Sequence, residues 1–460
     1  MNELDSAPSV DVAVVGAGIA GLAGALELRD AGFRVAVLES ALVPGGVMGT
    51  AEIRGYRIEV GPNTVQVKGA MRAFLERHDL TGGLVPASPA SRHRFLVRGG
   101  RLEPVPLGPL GLLRTPLLST RGKLRLLREP FVPVGRPHEE TVAEFLGRRL
   151  GPEAVRALAG PFLTGIYAGD ERRLGAAAVF PALVEMEEEA GSLLRGALRR
   201  SRRPVGPAGL RGSFSYRGGL GGLARALASR LGEALHLGAR VEEIAPRPES
   251  AGGGFELGYA SPGASGRLAA RALLLATPAP EAARLLEPVA PQTARALASV
   301  RYAPIVSVAV GVDPRACREP ITGFGFLVPR EEELSLLGCL FMSQLFAGRA
   351  PAGRELLTCM LGGERWPEAV HVPDRELARR IQADLERVLG LRDQVEVLHV
   401  HRYPRAIPQP GVGHPAAMEE AEAALGDAPV ALAGSWRAGV AVADSLASGT
   451  RAAEQLASRL

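Results

Sequence analysis

Two patterns of apolar positions alternate along the chain. One is a short apolar run, and the other is a longer stretch with apolar residues at helical spacing. Residues 10–15 (VDVAVV) are the first run and predict a buried strand. Leu22, Ala25, Leu26 and Arg29 continue at helical spacing, and Gly32 closes the helix. Residues 34–38 (RVAVL) predict a second strand, ended by Glu39. A short strand at 56–60 runs into a turn at 61–64, and a glycine pair at 99–100 between apolar triplets predicts a hairpin. From 106 to 134 prolines at 109, 116, 130 and 133 forbid one long helix, leaving a short one over 119–129 with a leucine face and a basic face. Helices are predicted over 141–150, 152–159 and 182–190, an exposed loop over 198–212, and a further helix over 220–231.

Beyond this the pattern predicts strands at 236–244, 255–259 and 266–272, and an apolar run at 273–277 stopped by Pro278. Strands at 305–312, 323–329, 336–341 and 356–361 and an amphipathic helix at 375–389 are expected to form a second sheet and its cover. A last short strand at 430–433 is followed by Gly439 and a helix through residue 456. The fold class expected is α/β (α+β overall), a Rossmann-like dinucleotide domain with a mixed-sheet substrate domain and a helical insert. The dinucleotide domain takes residues 1–87, 212–278 and 405–460. The substrate domain takes 88–106, 181–211 and 279–404, and the insert 107–180.

The turn between the first strand and helix is Gly16-Ala17-Gly18-Ile19-Ala20-Gly21, a G-x-G-x-x-G in its proper setting. Gly16 makes the tight turn, Gly18 lets backbone approach a pyrophosphate, and Gly21 lets helix and strand pack closely. The helix N-terminus offers free N–H groups and a positive dipole end. Glu39 stands where a carboxylate accepts from a ribose 2′-OH. Composition adds little against this reading. The net charge is +5, but nearly all of it is arginine, spread along the chain rather than stacked beside aromatics, which argues against nucleic acid. No eighteen-residue apolar run exists to span a membrane. The N-terminus is acidic and polar, unlike a secretory signal. Three scattered cysteines give no metal spacing and fit a reducing compartment. The expected location is the cytoplasm, with the 107–134 stretch suited to an anionic membrane face. The same stretch equally suits an insert packed on its own protein.

After Glu39 come Gly45-Gly46-Val47, then Gly61-Pro62-Asn63-Thr64. With these the chain resembles the flavin-containing amine oxidase superfamily. The blocks RFLVRGGRLEPVP, PFLTGIYAGD, GFGFLVP, RYPRAIPQPGVGH and AGVAVAD resemble its protoporphyrinogen oxidase family. The resemblance implies non-covalent FAD, a porphyrinogen substrate, and molecular oxygen as acceptor with release of hydrogen peroxide. By that resemblance Gly16 to Gly21 hold the pyrophosphate and Glu39 the ribose. Gly45, Gly46, Val47, Gly61, Pro62, Asn63, Thr64, Val241, Tyr403, Val440, Ala441 and Val442 line the rest of the cofactor. Arg94 aligns with an arginine that pairs with a substrate propionate, Leu327, Leu340 and Met360 with residues that sandwich the macrocycle, and Asn63 faces the substrate. Val47, Tyr403 and Ser435 depart from the residues common there.

The residues themselves offer no Ser-His-Asp or H-E-x-x-H motif, so a cofactor must carry the chemistry. Coproporphyrinogen III, an amine or a carotenoid remain alternative substrates. A homodimer is left open, and His414 has no assigned role.

Overall fold

The computed structural model describes residues 9–67, 69–106, 108–201 and 212–460. Lys68 and most of the expected 198–212 loop lie outside them. The first apolar run forms the strand Ser9–Val15, which pairs in parallel with Val35–Glu39 on one side and Ala264–Leu275 on the other. Parallel pairing buries both faces, which is why these strands are apolar at nearly every position. Leu235–Leu237 extends the sheet beyond Val35–Glu39, and Val430–Leu432 joins Ala264–Leu275 from the far end of the chain. An antiparallel meander of Arg240–Pro246 and Phe255–Ser261 completes seven strands.

Three helices cover one face of this sheet: Ile19–Asp30, Leu220–Leu231 and Val442–Ala457. The first and last cross closely because both present small residues. A Cβ on Gly449 would stand 2.0 Å from the Ala20 carbonyl oxygen, and one on Gly24 would stand 2.9 Å from that of Gly449.

The second sheet also has seven strands, in the order Glu396–Pro408, Tyr302–Val312, Glu355–Gly362, Leu336–Phe341, Gly325–Leu327, Arg94–Arg98 and Arg101–Pro104. One face carries Val306, Val308, Phe326, Cys339, Phe341, Cys359 and Leu361. It is sealed by the helix Asp374–Leu389, whose Leu377, Ile381, Leu385 and Val388 recur at helical spacing. The other face turns toward the first domain.

Four sequence expectations are corrected. The strand expected over 236–244 is two strands, split at Gly238 with φ +73°. The expected 198–212 loop begins with the end of a helix, Leu193–Ser201. Its first turn is held by Glu129, which accepts from the N–H groups of Leu193 and Leu194 and from the Ser192 hydroxyl. The strand expected over 323–329 shrinks to Gly325–Leu327, bounded by left-handed Gly323 and by Pro329. The thirteen-residue strand Glu396–Pro408 was not anticipated; as an edge strand it tolerates Pro404, where the register with its neighbour slips.

Within the 107–180 stretch, Thr120–Leu127 is a helix capped by the Ser119 hydroxyl, as the leucine–arginine pattern suggests. Beneath it, Arg149, Glu129 and Glu187 are fully buried and joined, with Arg149 donating to both carboxylates. Above it, Leu124, Leu127 and Val134 are exposed, and Phe131 is 80% exposed. Among the described residues no helix is long and apolar enough to cross a membrane.

The helix crossing gives a first prediction. Gly449→Ala forces a methyl group into the Ala20 carbonyl, and overpacking of this kind costs about 1–3 kcal/mol. Urea unfolding should show the loss. An unchanged midpoint would mean that the two helices separate without cost.

Candidate active site

The glycine turn is a cradle built by sterics. Gly16 has φ +100°, and its N–H donates to the Leu38 carbonyl at 2.8 Å. A Cβ on Gly21 would lie 1.9 Å from the Gly16 carbonyl oxygen, so only glycine permits this helix–strand approach. Gly18 caps the helix in extended conformation, and a Cβ there would meet nothing within 4 Å. Open space thus lies above the backbone where the helix dipole is positive. Ile19 and Ala20 point into the core beneath.

Gly45 and Gly46, both left-handed, close the cradle from the other side. The Gly45 N–H donates to the Ala17 carbonyl at 2.8 Å, and a Cβ on Gly46 would stand 3.3 Å from the Gly18 Cα. Glu39 ties the two turns together, accepting from the Ala17 N–H at 2.6 Å and the Ala41 N–H at 2.8 Å.

The 61–64 turn is locked in the same manner. A Cβ on Gly61 would lie 1.9 Å from the Val47 carbonyl oxygen, while the Val47 side chain is exposed. Pro62, Asn63 and Thr64 are half-buried; Asn63 donates to the Gly61 carbonyl at 3.3 Å. Tyr403 donates to the Val60 carbonyl at 3.2 Å, and burial pushes its hydroxyl pKa up to about 12. Val440, Ala441 and Val442 enter the final helix, with Ala441 exposed and Val442 buried. The Val241 side chain sits in the core with Ala13 and Leu38.

Two buried polar atoms here lack a partner among the described residues, Asn63 Oδ1 and the Thr277 hydroxyl. Thr277 adjoins the Gly16 turn, its Cγ2 lying 3.5 Å from a Cβ built on Gly16. Buried polar groups are normally satisfied, so such orphans mark where a ligand supplies the missing bond. A dinucleotide flavin fits this donor set: open space over a helix N-terminus, glycine backbone on both sides, and unsatisfied polar groups at the walls.

The inward face of the second sheet supplies the other half. Register places Arg94, Gly325, Leu340, Thr358, Ala309 and His399 in one row across it. The next row is Leu96, Leu327, Gly338, Met360, Ser307 and His401. Leu327, Leu340 and Met360 are therefore neighbours on one face, all half-buried. The helix Gly160–Tyr167 crosses above Leu327 at Gly165, where a Cβ would lie 2.6 Å from Leu327 Cδ2. Arg94 lies over the Phe324 ring at 4.2 Å. Its guanidinium has no carboxylate partner among the described residues; the residue as a whole is exposed, and the protein packed around its head lowers its pKa by desolvation.

Sequence reasoning missed Glu59 and Arg349. Both are buried; Arg349 Nη2 donates to Glu59 Oε1 at 2.5 Å and to the Ser215 hydroxyl at 2.6 Å. Glu59 also accepts from the Thr50 hydroxyl at 2.7 Å and the Leu220 N–H at 3.1 Å. It stands two residues before Gly61. The only local signal was an acid inside an otherwise apolar strand end. His414, left without a role, bonds the Trp436 carbonyl at 2.7 Å and lines a cleft of about 270 Å³.

Comparison with known proteins agrees with this geometry. Residues 19–457 match the model of a family described as flavin containing amine oxidoreductase. The chain is 34% identical over 448 residues to the chloroplastic protoporphyrinogen oxidase of Nicotiana tabacum, covering 92% of this chain and 80% of that one. It is 32% identical to the protoporphyrinogen oxidase of Homo sapiens, covering 94% of each. A crystal structure from Exiguobacterium sp. 255-15, provisionally named a protoporphyrinogen oxidase, superposes with a TM-score of 0.81 at 25% identity, over 99% of this chain and 100% of that one.

The Glu59–Arg349 pair gives a second prediction. Arg349→Ala strands a buried carboxylate, and breaking such a pair costs about 3–5 kcal/mol. Glu59→Gln with Arg349→Met, which removes both charges, should restore most of that loss. Thermal unfolding of the single and double variants measures the difference; equal losses in both would show that the charges do not act as a pair.

Proposed function

The chain belongs to the protoporphyrinogen oxidases of the flavin containing amine oxidoreductase family, and on that premise we propose that it holds FAD non-covalently and oxidises protoporphyrinogen IX to protoporphyrin IX, in tetrapyrrole biosynthesis. The observation that carries the substrate reading is the inward sheet face. Leu327, Leu340 and Met360 form an apolar floor, and Arg94, in the same row as Leu340, has no carboxylate partner among the described residues. A flat tetrapyrrole with few carboxylates suits such a floor. An ionised propionate buried without a partner costs several kcal/mol, so one anchoring arginine favours the substrate with two propionates over coproporphyrinogen with four.

FAD supplies a hydride acceptor. The chain's own residues do the rest. Gly16 to Gly21, Gly45 and Gly46 present backbone to the pyrophosphate, and Glu39 accepts from the ribose. The 61–64 turn, Val47, Tyr403 and the entry of the last helix enclose the remainder, and Val241, whose side chain lies in the core, offers only its backbone. Asn63 and the apolar floor orient the macrocycle so that a meso carbon faces the flavin, and Arg94 fixes one propionate edge. Molecular oxygen is the proposed final acceptor, with hydrogen peroxide as product. We further propose the threefold interleaved division of the chain into cofactor domain, substrate domain and insert.

The insert is the proposed membrane contact. Leu124, Leu127, Phe131 and Val134 are exposed beside Arg121, Lys123 and Arg128. This pairing of apolar and basic groups favours an anionic surface. Binding to anionic liposomes should exceed binding to neutral ones, weaken with salt, and fall sharply in Leu127→Ser/Phe131→Ser. Equal indifference to both lipids at low salt would defeat it.

Anaerobic mixing with protoporphyrinogen should bleach the flavin, and a flavin left oxidised would overturn the oxidase reading. Gly18→Val should purify without flavin, because the side chain fills the space over the helix N-terminus. Arg94→Ala should raise KM about tenfold or more, since a charge-assisted bond is worth about 1.5–3 kcal/mol, while leaving flavin content intact. The ratio of kcat/KM for protoporphyrinogen and coproporphyrinogen in both proteins tests the choice of substrate. A wild-type preference for coproporphyrinogen would reverse the assignment.

A further inference from the structure

The two rows that carry the apolar floor do not end in apolar residues. They end, on the edge strand Glu396–Pro408, in His399 and His401. The His401 ring packs against Tyr403 with centroids 4.1 Å apart, and His399 follows at 5.9 Å from His401. Tyr403 is bonded to the carbonyl of Val60, next to the 61–64 turn. At the other end of the strand, Glu396 is bonded to Tyr56 and paired with Arg54 and Arg354 near the surface. Polar and ionisable side chains therefore line one side of this strand, from the turn to the molecular surface.

His401 is half-buried, and neither its ring nor the buried His399 Nε2 has a hydrogen-bond partner among the described residues. The Thr358 hydroxyl is likewise buried and unpartnered, and is separated from His399 in its row only by Ala309. Adjacent strands lie about 4.8 Å apart. His401 therefore stands two strands, roughly 10 Å, from Met360 along one row. That is within reach of a macrocycle lying on the floor, directly or through one water. Unsatisfied buried polar atoms in a line are what ordered water fills.

We propose that His401 accepts the proton that the porphyrinogen loses in each two-electron step, and that His399 and Glu396 pass it to the surface. In each step a meso C–H bond breaks and its electron pair leaves with the hydrogen to the flavin. A proton also leaves to the neutral His401 ring, directly or across one water: a pyrrole N–H proton in two of the three steps, and a C–H proton of the fourth meso carbon in the remaining one. The bonding pair of the N–H or C–H bond that gave the proton stays on the macrocycle as a new double bond. The proton then moves through His399 toward Glu396 and solvent, which returns His401 to its neutral form for the next step. Tyr403, bonded to the Val60 carbonyl, fixes the first ring in place.

The ionisable groups facing His401 are consistent with this role. On its own strand they are His399 and Tyr403. The paired strand Tyr302–Val312 offers Ser307 and Ile305, which do not titrate. The segment Tyr56–Glu59 crossing above brings Tyr56, bonded to Glu396, and Glu59, already neutralised by Arg349. Burial, and next the neighbouring His399, hold the His401 pKa below the ordinary value of 6.5. The ring is therefore neutral and basic at pH 7.

This inference rests on the oxidase reading, and its test separates the two. Flavin reduction by protoporphyrinogen is followed anaerobically against pH in wild type, His401→Gln and His401→Phe. Wild-type reduction should slow as pH falls through the His401 pKa. Both variants should reduce at least tenfold more slowly and lose that inflection, with normal flavin content, and added imidazole should restore part of the rate in His401→Phe. Independently of turnover, the His401 ring-proton resonance, identified by its absence in His401→Gln, should titrate below 6.5. Its midpoint should rise in His399→Gln, where the neighbouring charge is gone. A wild-type flavin that protoporphyrinogen does not bleach overturns the oxidase reading, and this one with it. A bleached wild type with an unchanged rate and pH profile in His401→Gln overturns the relay alone.

Discussion

The structure depends on one carboxylate. Glu59 accepts from the Thr50 hydroxyl, the Leu220 N–H and the Arg349 guanidinium, and so joins the 50–59 hairpin, the first turn of Leu220–Leu231 and the loop that follows Leu336–Phe341. Those segments come from both halves of the molecule. Taking two charges out of water is expensive, and their attraction repays it only when the remaining hydrogen-bonding positions are also satisfied. Here they are: Arg349 bonds Glu59, Ser215 and the Arg57 carbonyl and lies over the Phe346 ring. Because Glu59 precedes Gly61 by two residues, the same bonds fix where the 61–64 turn meets the inward sheet face. The cofactor cradle and the apolar floor are thus held in register by a contact that belongs to neither.

Constraints that are local were legible in the sequence. Gly16, Gly21 and Gly61 have single-residue steric reasons, and the glycine spacing announces them. The strand–helix–strand unit follows from periodicity within forty residues. What requires register between distant strands was not legible. Leu327, Leu340 and Met360 alternate along their strands with Phe326, Phe341 and Cys359, which face the core. Both sets are apolar, so pattern alone cannot say which faces a ligand; only the resemblance separated them. Arg349 finds its partner 290 positions away. His399 and His401 lie in a strand whose proline and arginines disguised it, and their alignment with the floor passes through two pairings from Met360 and three from Leu340.

The two faces of the second sheet divide the work. The face under Asp374–Leu389 is continuous, apolar and closed, and supplies the stability of that domain. The inward face holds small residues at Gly325, Gly338 and Ala309, orphaned polar atoms at Thr358 and His399, and half-buried apolar side chains between them. A face built for packing alone would fill the glycine gaps and avoid buried groups without partners. The departures from good packing gather on the side that faces the cradle, while the opposite side carries none among the described residues.

The surface around Phe131 shows the same economy in another form. A turn that leaves Phe131 80% exposed gains little from burying its own side chains, so its conformation must be fixed from below. Glu129, two residues earlier, does this by holding the first turn of Leu193–Ser201 and pairing with Arg149, which also holds Glu187. Arg148 adds bonds to Glu187 and Glu140 that raise its own pKa, the Glu140 bond contributing most. Such a buried network is weak evidence for stability in itself, since an apolar core of equal volume often serves as well. What it adds is directional: hydrogen bonds fix the angle between the helix Val142–Leu150, which carries Arg148 and Arg149, and Leu193–Ser201, where apolar contacts would let them slide. The leucines and phenylalanine above can then stay at the surface, in fixed positions, without being needed by the fold.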